Sequence, residues 1–259
     1  MIAWRRQPPP PGYVREWLAG DVELVATRGV RDSAREALRA GSLYEYGAHA
    51  PDARAMFGRA TVYAVALPEG GPTVVVRHSR HGGLLADLTG DRFVGPTRAP
   101  RELRTALRLE RLGVPTPELL AYATYPAGGP LRRADVATRE IAGGRDLGAL
   151  LAGTTPGEDR APAWAAVAQL LGAMSEGGVR HPDLNAANVL LAPDDNGAPE
   201  AWLLDVDRVW FDRPGDSRVM DANLRRLLRS VRKLRDLRGT LIEDTELDMF
   251  VDRTRNAIA

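Results

Sequence analysis

Four short stretches carry residue types that could do chemistry together. "HPDLNAANVLL" (residues 181–191) places Asp183 two residues after His181 and Asn188 five residues after Asp183, just ahead of three aliphatics. "LLDVD" ends an apolar run at Asp205, seventeen residues past Asn188. "VVVRH" sets Arg77 in a β-rich segment, and Glu102 follows in a segment of helical periodicity. Phosphoryl transfer from ATP needs a carboxylate that takes a proton from a hydroxyl and oxygen ligands for Mg²⁺. It also needs a cation on the phosphates and an acid to hold that cation.

The spacing His-x-Asp-Leu-x-x-x-Asn is that of a kinase catalytic loop. It predicts Asp183 as the base acting on the acceptor hydroxyl, with Asn188 and Asp205 as metal ligands. Arg77 stands where a phosphate-binding lysine of the third strand would sit, and Glu102 is its natural partner. Of the 35 basic residues all but Lys233 are arginine, so any cationic role upstream falls to arginine. A guanidinium grips phosphate through two parallel hydrogen bonds. "FGRA" around Gly58 is a candidate phosphate loop that lacks the full Gly-x-Gly-x-x-Gly, and a plain β-turn accounts for it equally well. Each piece has a bland reading by itself. Asp and Asn favour turns, "DVD" suits a solvated loop, and Arg77–Glu102 could be an ordinary ion pair. Their order and spacing along one chain favour the catalytic reading.

Such residues need elements to hold them. "FGRATVYAVAL" and "TVVVRHSR" flank the turn "PEGGP" and predict a hairpin. "APRELRTALRLERLG" is periodic through Leu103, Leu107 and Leu112, and Gly113 suits a C-terminal cap. "PLRRADVATREIAGGRDLGALLAG" predicts a strand, a Gly-rich link near Ala142–Gly144 and a helix. Another helix is expected over Trp164–Glu176, and "AWLLDVDRVW" reads as a strand ending at Asp205. "DANLRRLLRSVRKLRDLRG" predicts a long helix with Leu224, Leu227, Leu228, Val231 and Leu234 on one face. Seven basic residues from Arg225 to Arg238, against only Asp236, cover the rest of it. The first fifty residues are loosely patterned, with the Pro8–Pro11 run and a helix around Asp32–Ala40. The expected fold class is α+β, a reduced protein-kinase-like fold. An N-terminal extension (1–50) precedes a β-rich N-lobe (51–141) and a helical C-lobe (142–259) around an ATP cleft.

Composition narrows the partners. The formal net charge of 259 residues is only +1, which offers no global electrostatic case for nucleic acid. With no cysteine there is neither a disulfide nor a thiolate metal site, in keeping with a reducing compartment. The longest apolar stretch, "APAWAAVAQLLGAM", falls short of the ~20 residues a spanning helix needs, and "MIAWRRQPPPPG" lacks the apolar core of a signal peptide. The expectation is a soluble or peripherally attached intracellular protein.

Departures from protein kinases refine the acceptor. Pro182 replaces the arginine that senses a phosphorylated activation loop, and Asn185 stands where serine/threonine kinases keep a lysine. No Ala-Pro-Glu motif follows Asp205, and the 54 residues after it are too few for a protein-substrate platform. The acceptor expected is a small molecule, a sugar or a lipid-linked group. "VVVRHSRHGG" (74–83), "RELRTALRLERLGVPTPE", "HPDLNAANVLL", "WLLDVDR" and "NLRRLLRSVRK" together resemble the lipopolysaccharide kinase family. The likeness runs from about Phe57 to Leu234 and is strongest to members acting on 3-deoxy-D-manno-octulosonic acid (Kdo).

The resemblance implies transfer of the ATP γ-phosphate, with Mg²⁺, to a hydroxyl of Kdo attached to lipid A or of another lipid-linked sugar. The reaction would run at the cytoplasmic face of the inner membrane. It implies Asp183 as base and Asn188 and Asp205 as metal ligands, with Val206 where the family more usually has an aromatic. The Kdo carboxylate calls for an arginine, and Arg208 and Arg213, just past the metal-binding strand, are the candidates. The basic helix would face an anionic membrane surface. Two alternatives stay open: a related kinase acting on a core heptose or a small molecule, and a pseudokinase scaffold. Retention of Asp183, Asn188 and Asp205 together speaks against the second.

Overall fold

The computed structural model describes residues 8–56, 60–79, 92–153, 159–240 and 242–256. The chain divides into two units, one of residues up to Arg104 with Glu118–Glu140, the other of Thr105–Pro117 with Ile141 onward.

Valine-rich and aromatic segments of the first unit build an antiparallel sheet. Its strands are β1 (Tyr13–Leu18), β2 (Val22–Thr27), β3 (Arg54–Met56), β4 (Val62–Ala66), β5 (Thr73–His78), β6 (Phe93–Val94), β7 (Leu119–Pro126) and β8 (Leu131–Arg139). The order is β1-β2-β7-β8-β5-β4-β3, with β6 paired to β8. The expected hairpin is β4–β5, in the register Ala64 opposite Val75. Residues before position 50 do more than the one helix expected. They supply β1 and β2, then α1 (Arg31–Ala37) and α2 (Leu43–His49), the latter capped by the Ser42 hydroxyl, which accepts from Glu45 N–H at 3.0 Å. Leu24, Leu43, Val65, Val74, Val76 and Leu120 share the core of this unit.

Helix α3 (Ala99–Arg111) buries Glu102, Leu103, Thr105, Ala106 and Leu109. The expected stripe through Leu107 and Leu112 is therefore displaced: Leu107 is half-buried and Leu112 exposed. The helix stops at Arg111 and Gly113 turns left-handed, so Leu112 lies past the last helical turn.

The second unit holds β9 (Arg145–Asp146), α4 (Leu147–Gly153), α5 (Ala161–Glu176), β10 (Val179–Arg180), β11 (Val189–Pro193), β12 (Pro199–Leu203), β13 (Trp210–Phe211), α6 (Ser217–Arg238) and α7 (Asp244–Asn256). Strands β12, β11 and β9 form one small sheet, β10 and β13 another. Helix α5 is apolar on nearly every side and correspondingly buried, with Trp164, Val167, Leu171 and Met174 inside. Gly178, between α5 and β10, has a left-handed backbone, and a Cβ there would lie 2.5 Å from the Asp212 carbonyl oxygen. Only glycine permits that close approach. Helix α6 buries Leu224, Leu227, Leu228 and Val231 of its predicted stripe, while Leu234 near its end is half-buried. Its cations are not all on the outer face, because Arg226 is half-buried and Arg235 pairs with Asp244 at 2.6 Å. No helix among the described residues is long and apolar enough to cross a membrane.

Candidate active site

The loop between β10 and β11 is organised by a buried imidazole. His181 Nε2 lies 3.1 Å from the Asp205 carbonyl oxygen and 3.3 Å from that of Leu204. Carbonyl oxygens only accept, so Nε2 carries the proton and Nδ1 is left to accept the Asp183 N–H at 3.2 Å. Burial pushes the His181 pKa down, opposed by the Asp205 carboxylate and the two carbonyl contacts, so the ring is held neutral. One uncharged side chain thus ties the residue predicted as base to the segment predicted to bind metal.

Asn188 ends a short 3₁₀ turn (Ala186–Asn188). Its Nδ2 donates to the Asp183 carbonyl oxygen at 3.0 Å, and its own carbonyl accepts from Leu204 N–H at 2.9 Å. With the amide nitrogen turned to the loop, Oδ1 accepts no hydrogen bond among the described residues. Asn185, which stands where serine/threonine kinases keep a lysine, shapes the turn. Its Oδ1 accepts from Ala187 N–H at 2.9 Å, and its Nδ2 donates to the Asp183 carbonyl at 2.8 Å.

Strand β12 ends at Leu203, two residues short of the expected Asp205. Asp205 instead takes a left-handed backbone, φ 55° and ψ 50°, a conformation aspartate tolerates better than most residues. It opens a 3₁₀ turn, Val206–Arg208, in which Val206 and Asp207 are buried. Valine thus packs inward at the position where the resemblance led one to expect an aromatic. The turn brings Arg208 back to Asp183, whose Oδ2 accepts a hydrogen bond from Nη1, both side chains being half-exposed. Asn188 Oδ1 and the Asp205 carboxylate are hard oxygen donors of the kind Mg²⁺ takes alongside phosphate oxygens and water. The described residues contain no cluster of three or more His, Cys, Asp or Glu side chains fit for a metal.

In the first unit, Arg77 on β5 pairs with Glu102, which is buried in the first turn of α3. The neighbouring His78 places Nδ1 2.6 Å from Asp135 Oδ1 on β8, while Asp135 Oδ2 accepts the Tyr44 N–H at 3.0 Å. The Tyr44 and His78 rings stack with centroids 3.7 Å apart. The start of α2 therefore braces the strand that carries Arg77.

The structure brings together Asp183, Asn188, Asp205 and Arg208 in one unit, and Arg77 and Glu102 in the other. Gly58 lies outside the described residues. Arg213 is exposed, and among the described residues no hydrogen bond or ion pair joins it to Asp183, Asn188 or Asp205. Sequence reasoning missed the bridging part of His181, though that residue opens the quoted motif. It also missed the His78–Asp135 brace, whose partners are 57 residues apart.

A family model described as "Lipopolysaccharide kinase (Kdo/WaaP) family" matches residues 56–249. A "3-deoxy-D-manno-octulosonic acid kinase" of Stenotrophomonas maltophilia (strain K279a) is 36% identical over 199 residues, covering 74% of this chain and 73% of that protein. A protein of the same name from Haemophilus influenzae (strain PittEE) is 33% identical over 182 residues, 68% of this chain and 73% of its own. Among solved structures, "WaaP in complex with acyl carrier protein" gives a TM-score of 0.48 at 18% identity, covering 90% of this chain and 98% of that one.

Proposed function

Because this chain belongs to the lipopolysaccharide kinase (Kdo/WaaP) family, we propose that it transfers the γ-phosphate of ATP to a hydroxyl of Kdo attached to lipid A. The observation that carries this reading is the placement of Arg208 on the Asp183 carboxylate. A base for the acceptor hydroxyl and a guanidinium suited to an acidic sugar stand side by side.

In this mechanism Asp183 accepts the hydroxyl proton as the acceptor oxygen bonds to the γ-phosphorus. The bond from that phosphorus to the β,γ-bridging oxygen breaks, and ADP leaves with its electron pair. Arg208 uses its remaining N–H groups to hold the sugar carboxylate. Arg77, oriented by Glu102, donates to the nucleotide phosphates. Asn188 and Asp205 would hold Mg²⁺, which would supply positive charge to the nucleotide phosphates. His181 stays neutral and keeps the backbone of Asp183 in step with that of Asp205. Residues 51–141 act as the nucleotide lobe and 142–259 as the catalytic lobe, with 1–50 bracing the former. The exposed cations of α6 rest on anionic lipid, which places the protein at the membrane that carries its acceptor.

The test is mass spectrometry of Kdo-lipid A incubated with the protein and MgATP. One phosphate gained on the Kdo-containing fragment is the expected result. Phosphate on a heptose of the core, or on peptide but not on Kdo-lipid A, would overturn the acceptor assignment. An unchanged lipid with nucleotide still bound would support a scaffold instead.

A further inference from the structure

The stretch "NLRRLLRS" (223–230) has leucines that account for burial of α6, yet Asn223, Arg226 and Ser230 have no part in the chemistry described so far. In the structure those three polar residues recur at helical spacing, i, i+3 and i+7, along one flank of α6. Asn223 is fully buried; its Oδ1 accepts the His181 N–H at 3.1 Å and its Nδ2 donates to the Val179 carbonyl at 2.8 Å. Arg226 Nε donates to the Pro182 carbonyl at 2.6 Å. Ser230 Oγ accepts the Ala186 N–H at 3.1 Å. Three side chains of one helix thus hold backbone groups on both sides of Asp183.

We propose that Asn223, Arg226 and Ser230 are positioning residues that fix the backbone of residues 179–186, so that Asp183 meets the acceptor hydroxyl in reactive geometry. The proposal rests on the reading of Asp183 as the base. Buried loop backbone needs hydrogen-bond partners, and side chains on a helix supply them at fixed spacing. The leucine stripe of α6 is buried in the same unit, so the clamp is mounted on a rigid element. A misplacement of about 1 Å in such a loop is enough to cost on the order of 10²-fold in rate. A clamp that served only stability would shift melting and leave turnover alone.

The experiment compares Ser230→Ala, Arg226→Gln and Asp183→Asn, following Kdo-lipid A phosphorylation and MgATP hydrolysis in parallel, with nucleotide binding and melting measured on each. Ser230→Ala and Arg226→Gln are expected to lower kcat by about tenfold or more while nucleotide affinity stays within about twofold. Ser230→Thr, which keeps the hydroxyl, restores kcat. Adding Ser230→Ala to Asp183→Asn costs nothing further, because the clamp acts through the base. Asn223→Ala is the harsher variant, and the two substitutions at half-buried positions decide the matter if it fails to fold. Full turnover in Asp183→Asn would sink the base assignment. Loss there with wild-type kcat in Ser230→Ala and Arg226→Gln would sink the clamp alone. If the wild type leaves Kdo-lipid A untouched, the acceptor reading falls and the clamp stands or falls on whether hydrolysis drops in the same variants.

Discussion

Arg208 donates a hydrogen bond from its guanidinium to the carboxylate of Asp183, bridging 25 positions of sequence. The pair joins the group proposed as base to a guanidinium able to bind an acid. Asp183→Asn keeps an oxygen for Arg208 and removes the basicity. A positioned base contributes roughly 10²–10⁴-fold, so kcat should fall by that order. Nucleotide affinity, measured by titration calorimetry, should stay within about twofold, because the base touches the acceptor and not ATP. Wild-type turnover in this variant would remove the assignment.

Arg208→Gln separates two uses of the same guanidinium. If it binds the sugar carboxylate, the KM for Kdo-lipid A rises on the order of tenfold while the KM for ATP holds. A fall in kcat with both KM values unchanged would mean that Arg208 serves Asp183 and not the acceptor. Arg213→Gln, which lies outside the hydrogen-bonded cluster, should leave all three constants near wild type.

Glu102 is buried and Arg77 is its ion-pair partner, so the two substitutions have different consequences. Arg77→Ala takes one partner from a buried carboxylate and should lower stability by roughly 1–3 kcal/mol, along with kcat/KM for ATP by about 10²-fold or more. Arg77→Lys keeps the charge and loses the planar fork, so ATP use stays poor. The double variant Arg77→Ala/Glu102→Leu should regain stability without regaining ATP use. If denaturation and kinetics recover together, the pair is structural and the phosphate-binding cation lies elsewhere.

The residues assigned to the chemistry, Asp183, Asn188 and Asp205, were the legible part of the candidate site, because the catalytic-loop pattern ties them to short spacings. Their supports were not. His181, Asn223 and Ser230 act on backbone more than 20 or 40 positions away, and no local pattern encodes such pairs. Strand β2 escaped notice for another reason: Leu24, Val25 and Ala26 are buried in succession, which erases the alternation that marks a half-exposed strand. β7, buried at seven consecutive positions, is the same case. The boundary at Leu203 was misjudged because the apolar run continues into Leu204, while Asp205 turns left-handed and breaks the ladder.

Burial lowers the His181 pKa below its ordinary value of 6.5, and the sign of the resulting linkage is fixed. The folded state binds fewer protons than the unfolded chain, so this contribution is full above the unfolded value. It is lost as pH falls through the lowered folded value. Chemical denaturation from pH 8 towards pH 5 should therefore show stability falling below about pH 6.5. His181→Gln, whose side chain has no such proton to gain, should flatten that part of the profile. An identical slope in the variant would assign the proton uptake to another group.

Helix α6 has a second, cationic face. Arg225, Arg229, Arg232 and Lys233 are exposed, as is Leu237, 73% of whose surface is open to solvent. Arg226 and Arg235 are taken up by contacts within the protein, and Arg225 keeps only its Nε on the Asp221 carbonyl, so among the described side chains these four cations are open to lipid headgroups, against Asp221 and Asp236. At about 1 kcal/mol for each basic residue near an anionic surface, they would contribute roughly 4 kcal/mol, enough for reversible attachment without a spanning segment. Screening over about 8–10 Å at physiological salt makes that attraction sensitive to ionic strength. Sedimentation is therefore expected with anionic vesicles and not with neutral ones, reversed by high salt and weakened by Arg225, Arg229 and Arg232→Gln. The same triple variant should phosphorylate a detergent-dispersed acceptor at the wild-type rate, since among the described residues no hydrogen bond or ion pair joins the three to residues 179–188. Binding that ignores both salt and lipid charge would make the outer face of α6 a solvated surface and nothing more.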